Sequence, residues 1–215
     1  MQSNSFGLDS LRAALVADIL DSLGLRDQAL AADIVPLRPN GVLVGPAFPA
    51  RSVEVDRIPD VAYDGLLRAL DTVGQGEIFV LATNRTSRSA MWGELLSTAC
   101  SARGVKGVVT DGYARDTDQI VALGFPTYCR GSIPLDIHGR SEIVEFGQPV
   151  TIDGVVIAAL DTVVADSDGV VIVPAEIAVE VMARAHQKGQ DEGEFRDAVR
   201  KGMPASEAYH RFKVL

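Results

Sequence analysis

The sequence predicts an α/β fold, read as a single domain over residues 1–215, with helices toward both termini and a strand-rich section in the middle and late chain. Three observations point there. Apolar residues near the start recur at helical spacing. Short runs of Val, Ile, Leu and Phe, each closed by Gly, Pro or Asp, alternate with helical stretches. The late chain then switches to short strands separated by tight-turn residues before a final helical region.

Over residues 9–23, Leu11, Leu15, Ile19 and Leu23 fall on one helical face with Val16 and Leu20 beside them, and Gly24 supplies the stop. "GVLVGPAFPARSVEV" (41–55) reads as strand. "YDGLLRALDTV" (63–73) reads as a short helix and "GEIFVLAT" (76–83) as a buried strand. In "GELLSTACSAR" (93–103), Leu95, Leu96, Ala99, Cys100 and Ala102 make a wide apolar helical face, and "VKGVVTD" (105–111) returns to strand. One or two helical turns follow at 117–124, then a short strand at 125–131. From about Val144 the strands are short, with hairpin signals at Asp153-Gly154 and in "DSDG" (166–169). A helix is expected over 175–188, followed by a separate polar helix and a short turn.

The core must be aliphatic, because 47% of the chain is apolar but only 6% aromatic. With 29 acidic against 20 basic residues the net charge is −9, which repels phosphate backbones and anionic membrane surfaces. Neither nucleic acid nor membrane is therefore expected as a partner. No apolar run is long enough for a transmembrane helix. Cys100 and Cys129 form no CxxC pair and read as reduced, buried thiols, and a cytoplasmic location is the expectation. His138, His186 and His210 have no zinc spacing, and there is neither a P-loop nor a GxGxxG after a strand.

Chemistry is concentrated in "WGELLSTACSARGVKGVVTDGYARD" (92–116). Arg115 and Asp116 stand just past the end of an apparent buried strand, where α/β folds bind ligands. Gly93 opens a helix whose first amides, those of Leu95 and Leu96, lack internal partners and are free to bind a carboxylate. Arg115 offers a planar fork for carboxylate or enolate oxygens, and Asp116 and Glu94 are hard oxygen ligands suited to Mg²⁺ or Mn²⁺. From the residues alone a structural Arg–Asp ion pair remains the other reading, as does a glycine that merely caps its helix.

These residues resemble the regulator of ribonuclease activity A family, which includes the 4-hydroxy-4-methyl-2-oxoglutarate aldolases. The resemblance is carried by "VADILDSLG", "GVLVGPAFPA", "GELLSTACSARGVKGVVTDGYARD" and "DTVVADSDGVVIVP" and runs over nearly the whole chain. It implies a layered α/β/α, swivelling-domain-like fold and a homotrimer or hexamer with the active site between subunits. It further implies that Asp116 binds Mg²⁺, or Mn²⁺, and that Glu94 holds metal-bound waters. The Leu95 and Leu96 amides at Gly93 would bind the pyruvyl carboxylate, and Arg115 the C2 oxygen. Glu192, with Asp191 or Glu194 as alternatives, would serve a neighbouring subunit. The implied activity is lyase cleavage of a 2-oxo acid to pyruvate by aldol cleavage or oxaloacetate decarboxylation. The rival reading is a protein-binding regulator that inhibits an endoribonuclease. Two departures stand out: Gln119 occupies an acidic position of the aldolase motif, and Ala159-Leu160-Asp161 replaces a Pro-Gly-Asp turn.

Overall fold

Strand β2 (Leu43–Glu54) is the hub of the sheet. In a computed structural model that describes residues 11–39, 41–85 and 88–214, it pairs with β3 (Ile78–Ala82), β8 (Ser141–Phe146) and β11 (Thr162–Asp166). Its length lets different stretches serve different partners. Leu43 to Pro46 face β11, Ala47 to Arg51 face β3, and Ala50 to Glu54 face β8 across a bulge between Arg51 and Ser52. From β3 the sheet continues in parallel to β5 (Gly107–Thr110) and β7 (Thr127–Cys129), then antiparallel to β1 (Val35–Pro36). On the other side β11 forms a hairpin with β12 (Gly169–Val173). Leu30 N donates to Val170 O and Ala29 bridges Val171, so the segment entering β1 meets the far edge. The sheet thereby curls almost closed. The β9 (Val150–Ile152) and β10 (Val155–Ile157) hairpin turns at Asp153-Gly154, as the sequence signal predicts.

Alternation along β3 sorts the core into two faces. Ile78, Val80 and Ala82 join the barrel interior with Val109, Tyr128 and Ile172. Phe79 and Leu81 point outward to α2 (Asp64–Thr72) and α3 (Glu94–Ala102), where Leu66, Leu70, Trp92 and Cys100 complete a second core. Every β3 residue is buried, as expected for a strand covered on both faces. A third core lies under α1 (Ala13–Ser22) and α5 (Ala178–Arg200), against Val164, Val171 and Val173. This is the mixed α/β layering that the sequence predicts. The cysteines are free and buried, and burial pushes the Cys100 thiol up to about 12.

Boundaries differ in two instructive places. The first helix starts at Ala13, with Asp9 and Ser10 of its expected span outside the described residues. The expected break near residue 188 does not occur: after a 3₁₀ turn at Ala175–Ile177, α5 runs unbroken for 23 residues and only then gives way to α6 (Ala205–Phe212). Gly189 and Gly193 each disfavour helix by about 1 kcal/mol relative to Ala. Packing of Val181 and Ala185 in the third core, and Gln187–Asp191 and Glu192–Arg196 pairs one turn apart, hold the helix across them.

Candidate active site

Two very short strands build the site. β4 (Ala90–Trp92) and β6 (Tyr113–Ala114) pair in parallel, Ala90 opposite Tyr113 and Trp92 opposite Ala114. Parallel pairing brings both strands to an end on the same side, so the residues that follow them, Gly93 and Arg115, emerge together. Arg115 N donates to Trp92 O at 2.9 Å and fixes that register.

Beyond β4 the chain turns directly into α3. The Trp92 indole donates to Ser97 Oγ at 2.9 Å, and Ser97 Oγ donates to Gly93 O at 3.1 Å, which clamps the first helical turn. Gly93 has no side chain to cap that turn. Its φ of −154° is ordinary extended backbone, so what favours glycine here is space and not conformation. A β-carbon there would lie 3.0 Å from Asp116 Oδ2 and 3.3 Å from Arg115 Cγ.

After β6, Asp116 caps α4 (Thr117–Leu123) with φ 55° and ψ 37°. That left-handed conformation is uncommon outside glycine, although Asp and Asn tolerate it best. It aims the carboxylate back at the start of α3. Arg115 Nε lies 3.5 Å from Asp116 Oδ2, while Arg115 Nη1 lies 3.4 Å from Asp136 Oδ1. The arginine is thus held between two carboxylates.

Asp136 and Tyr63 were not singled out from the sequence. Ala90 N donates to Leu135 O at 2.8 Å, pinning the loop that carries Asp136 beside β4. The Tyr63 hydroxyl donates to Asp136 Oδ2 at 2.6 Å. Burial pushes the Asp136 carboxyl up, but the Tyr63 hydroxyl, the Ile137 amide, the Arg115 charge and the His138 amide together outweigh it and hold the carboxyl below its usual range. Conversely, the bond to Asp136, reinforced by burial, raises the Tyr63 phenol. Tyr63 also has a positive φ, 62°, and so joins Asp116 as a non-glycine residue in left-handed backbone at this site. Asp136 follows the carboxyl end of a parallel strand, where site acids gather, and that position was its one sequence signal. Nothing local marks Tyr63.

These groups open onto a cleft of about 330 Å³. Gly93, Leu95, Leu96, Arg115 and Asp116 all line it, as do Tyr63 and Asp136. Glu94 and Glu192 do not. Glu94 accepts a hydrogen bond from Thr98 one turn along α3, at 2.7 Å. Glu192 lies on α5 and pairs with Arg196 at 3.9 Å. Among the described residues no cluster of three or more His, Cys, Asp or Glu could hold a metal. One exposed carboxylate, Asp116, fits a hard cation such as Mg²⁺ that keeps most of its ligands as water and substrate oxygens; it does not fit a fully protein-ligated metal.

The family model described as RraA-like, Aldolase/RraA, matches residues 13–172. The chain belongs to the RraA-like family. Over 194 residues it is 29% identical to a protein of Halalkalibacterium halodurans provisionally named as a 4-hydroxy-4-methyl-2-oxoglutarate aldolase, covering 90% of this chain and 87% of that one. Among solved structures, an uncharacterized protein from Pseudomonas syringae superposes with a TM-score of 0.81 at 31% identity, covering 94% of this chain and 95% of the other. Streptomyces coelicolor RraAS2, described as an unusual member of the RNase ES inhibitor RraA family, superposes with a TM-score of 0.79 at 26% identity, covering 91% and 97%. The RraA-like match includes β4, α3, β6 and the Arg115–Asp116 pair.

Proposed function

We propose that this RraA-like protein is a divalent-metal-dependent lyase that cleaves a C–C bond of a 2-oxo acid to release pyruvate, by aldol cleavage or oxaloacetate decarboxylation. The observation that carries the reading is the meeting of Gly93 with Arg115 and Asp116 at the uncapped start of α3. A structural ion pair needs only the two charges. It does not need them packed against a glycine beside free helix amides on a cleft.

In this reading the amides of Leu95 and Leu96 receive the substrate carboxylate, where the helix dipole favours negative charge. The Arg115 fork faces the C2 oxygen, and Asp136 holds that fork in place. Mg²⁺ or Mn²⁺ would be held by Asp116 with waters reaching Glu94, and its chemistry is that of a Lewis acid at the 2-oxo group. In aldol cleavage the C4 hydroxyl loses its proton to a base, for which Glu192 of a neighbouring copy in a trimer or hexamer is the candidate. The C3–C4 electron pair moves into pyruvate enolate, C4 becomes a carbonyl, and protonation at C3 gives pyruvate. Arg115 stabilises the negative charge as it develops on the C2 oxygen, the kind of interaction that usually contributes most to catalysis. Decarboxylation of oxaloacetate has no hydroxyl proton to remove and so tolerates Gln119.

A second reading, an inhibitor of an endoribonuclease, is favoured by the likeness to the Streptomyces coelicolor protein and by the net charge of −9, which suits mimicry of RNA. One experiment separates them: pyruvate release from a panel of 2-oxo acids, with Mg²⁺ and with chelator. Metal-dependent release supports the lyase. No release from any member, with inhibition of an endoribonuclease by the same preparation, supports the regulator.

A further inference from the structure

We propose that Asp111 is a positioning residue of this site: its carboxylate ties the chain leaving β3 to the chain leaving β5, and so sets where Arg115 and Asp116 stand against Gly93. The effect on turnover rests on the lyase reading above; the geometry does not.

β3 and β5 run in parallel with Leu81 opposite Thr110, so the two strands end abreast. Asp111 is the next residue of the β5 chain and is 2% exposed. Its Oδ1 accepts the Thr83 amide at 2.6 Å and its Oδ2 the Arg85 amide at 2.9 Å, both on the chain just beyond β3. Within that short stretch Asn84 and Arg85 have positive φ, 53° and 57°. Asn tolerates such backbone and Arg much less, and it persists where the surroundings hold it. Each carboxylate oxygen takes one amide. An Asn side chain would offer a single oxygen and turn its N–H₂ group toward the other donor. A carboxylate this buried is strongly disfavoured unless it is hydrogen-bonded in this way. The chains also pack closely here: a β-carbon on Gly112 would lie 2.8 Å from Thr83 Cγ2.

Both chains then lead to the site. Asp111 and Gly112 run directly into β6, and the chain beyond Arg85 continues to β4. The β4–β6 ladder rests on two partner pairs, Ala90–Tyr113 and Trp92–Ala114, and a two-stranded sheet of that size is marginal by itself. The Asp111 carboxylate anchors the chain on the near side of this ladder, and the Arg115 amide bonded to Trp92 O closes the far side. Loosening the near anchor therefore lets β6, and with it Arg115 and Asp116, shift relative to Gly93.

The test compares Asp111→Asn and Asp111→Ser with the unsubstituted protein and with Val164→Ala, a cavity variant in the third core away from the cleft. Hydrogen exchange read by mass spectrometry follows two peptides, 111–117 across β6 and 77–82 across β3. In both Asp111 variants exchange should quicken in the first peptide by at least about tenfold, on the scale of losing a hydrogen bond to a charged group, and stay unchanged in the second. With Mg²⁺ and oxaloacetate, kcat for pyruvate release should fall by about 10- to 100-fold, the effect of a small misplacement at a reacting centre. Val164→Ala should lower the melting temperature and leave kcat as it is. Exchange that rises equally in both peptides, or in neither, overturns the inference. So does selective exchange with unchanged kcat, which describes a clamp that does not position the chemistry, and so does a Val164→Ala protein that loses turnover to the same degree. Failure of both Asp111 variants to fold marks the residue as structural and also overturns it. Selective exchange in a protein whose unsubstituted form releases no pyruvate from any 2-oxo acid supports the clamp and removes the lyase reading.

Discussion

Gly93 and Asp116 approach so closely that a β-carbon on the glycine would stand 3.0 Å from the Asp116 carboxylate. Gly93→Ala should therefore push that carboxylate and the Arg115 stem apart by a few tenths of an ångström without straining its own backbone, which is extended. Activity is expected to fall by about 10- to 100-fold, because small misplacements at a reacting centre are costly. The melting temperature should change little. A variant with unchanged kcat/KM would mean that the contact does not position the chemistry.

Asp116→Asn and Asp116→Ala should separate ligation from folding. Asn also tolerates the left-handed backbone at 116, so the fold should persist while Mg²⁺ binding, read by calorimetry, is lost. Ala lacks that tolerance and should in addition lose about 1 kcal/mol of stability. Equal Mg²⁺ affinity in Asp116→Asn and the unsubstituted protein would exclude Asp116 as the ligand.

Arg115→Lys keeps the charge but not the planar fork that spans Asp116 and Asp136. We expect kcat to fall by roughly 10²–10³, the scale of losing one oxyanion-stabilising donor. Mg²⁺ affinity should hardly change, and oxalate, a planar mimic of pyruvate enolate, should bind more weakly. Loss of thermal stability in step with activity would instead identify a structural salt bridge.

Tyr63→Phe removes the 2.6 Å hydrogen bond to Asp136. Asp136 has a depressed pKa in the folded protein, so the stability it contributes is present above the ordinary carboxylate value near 3.8 and is lost as pH falls through the lower folded value. At neutral pH the variant should be less stable by about 1 kcal/mol, the usual net worth of such a bond. The gap between the two proteins should close as the pH is lowered past about 4. A gap constant from pH 7 to pH 3 in denaturant titrations would show that Asp136 does not mediate it.

Gln119→Glu restores the acid of the aldolase motif one turn from Asp116, whose carbonyl accepts the Gln119 amide at 3.1 Å. Aldol cleavage should rise more than oxaloacetate decarboxylation. Equal changes in the two rates would show that position 119 does not limit proton removal.

How much of this was legible beforehand follows from length and period. "GEIFVLAT" and "GELLSTACSAR" declare a buried strand and a helix because each is long enough to show its pattern, and both match β3 and α3 closely. β4 and β6, at three and two residues, are too short to carry any period, yet their pairing is what joins Gly93 to Arg115. The glycine and the arginine could be named from a sequence resemblance; their contact could not be derived from spacing. Tyr63 and Asp136 are 73 residues apart and meet only through the folded backbone, so no local pattern announces the pair. The continuous α5 was misread because glycine propensity is a local quantity, whereas packing on α1 is not.

Strand β2 carries a mechanical consequence for the whole molecule. Because β3, β8 and β11 all borrow their hydrogen-bonding edge from it, withdrawing β2 would unpair three strands at once. Opening should therefore be all-or-none along this strand, and the amides of Ala47, Phe48 and Ala50 to Val53 should be among the slowest to trade hydrogen for deuterium in the native state. The β4–β6 ladder is a separate small sheet, so the site can breathe on a faster clock than the framework that holds it.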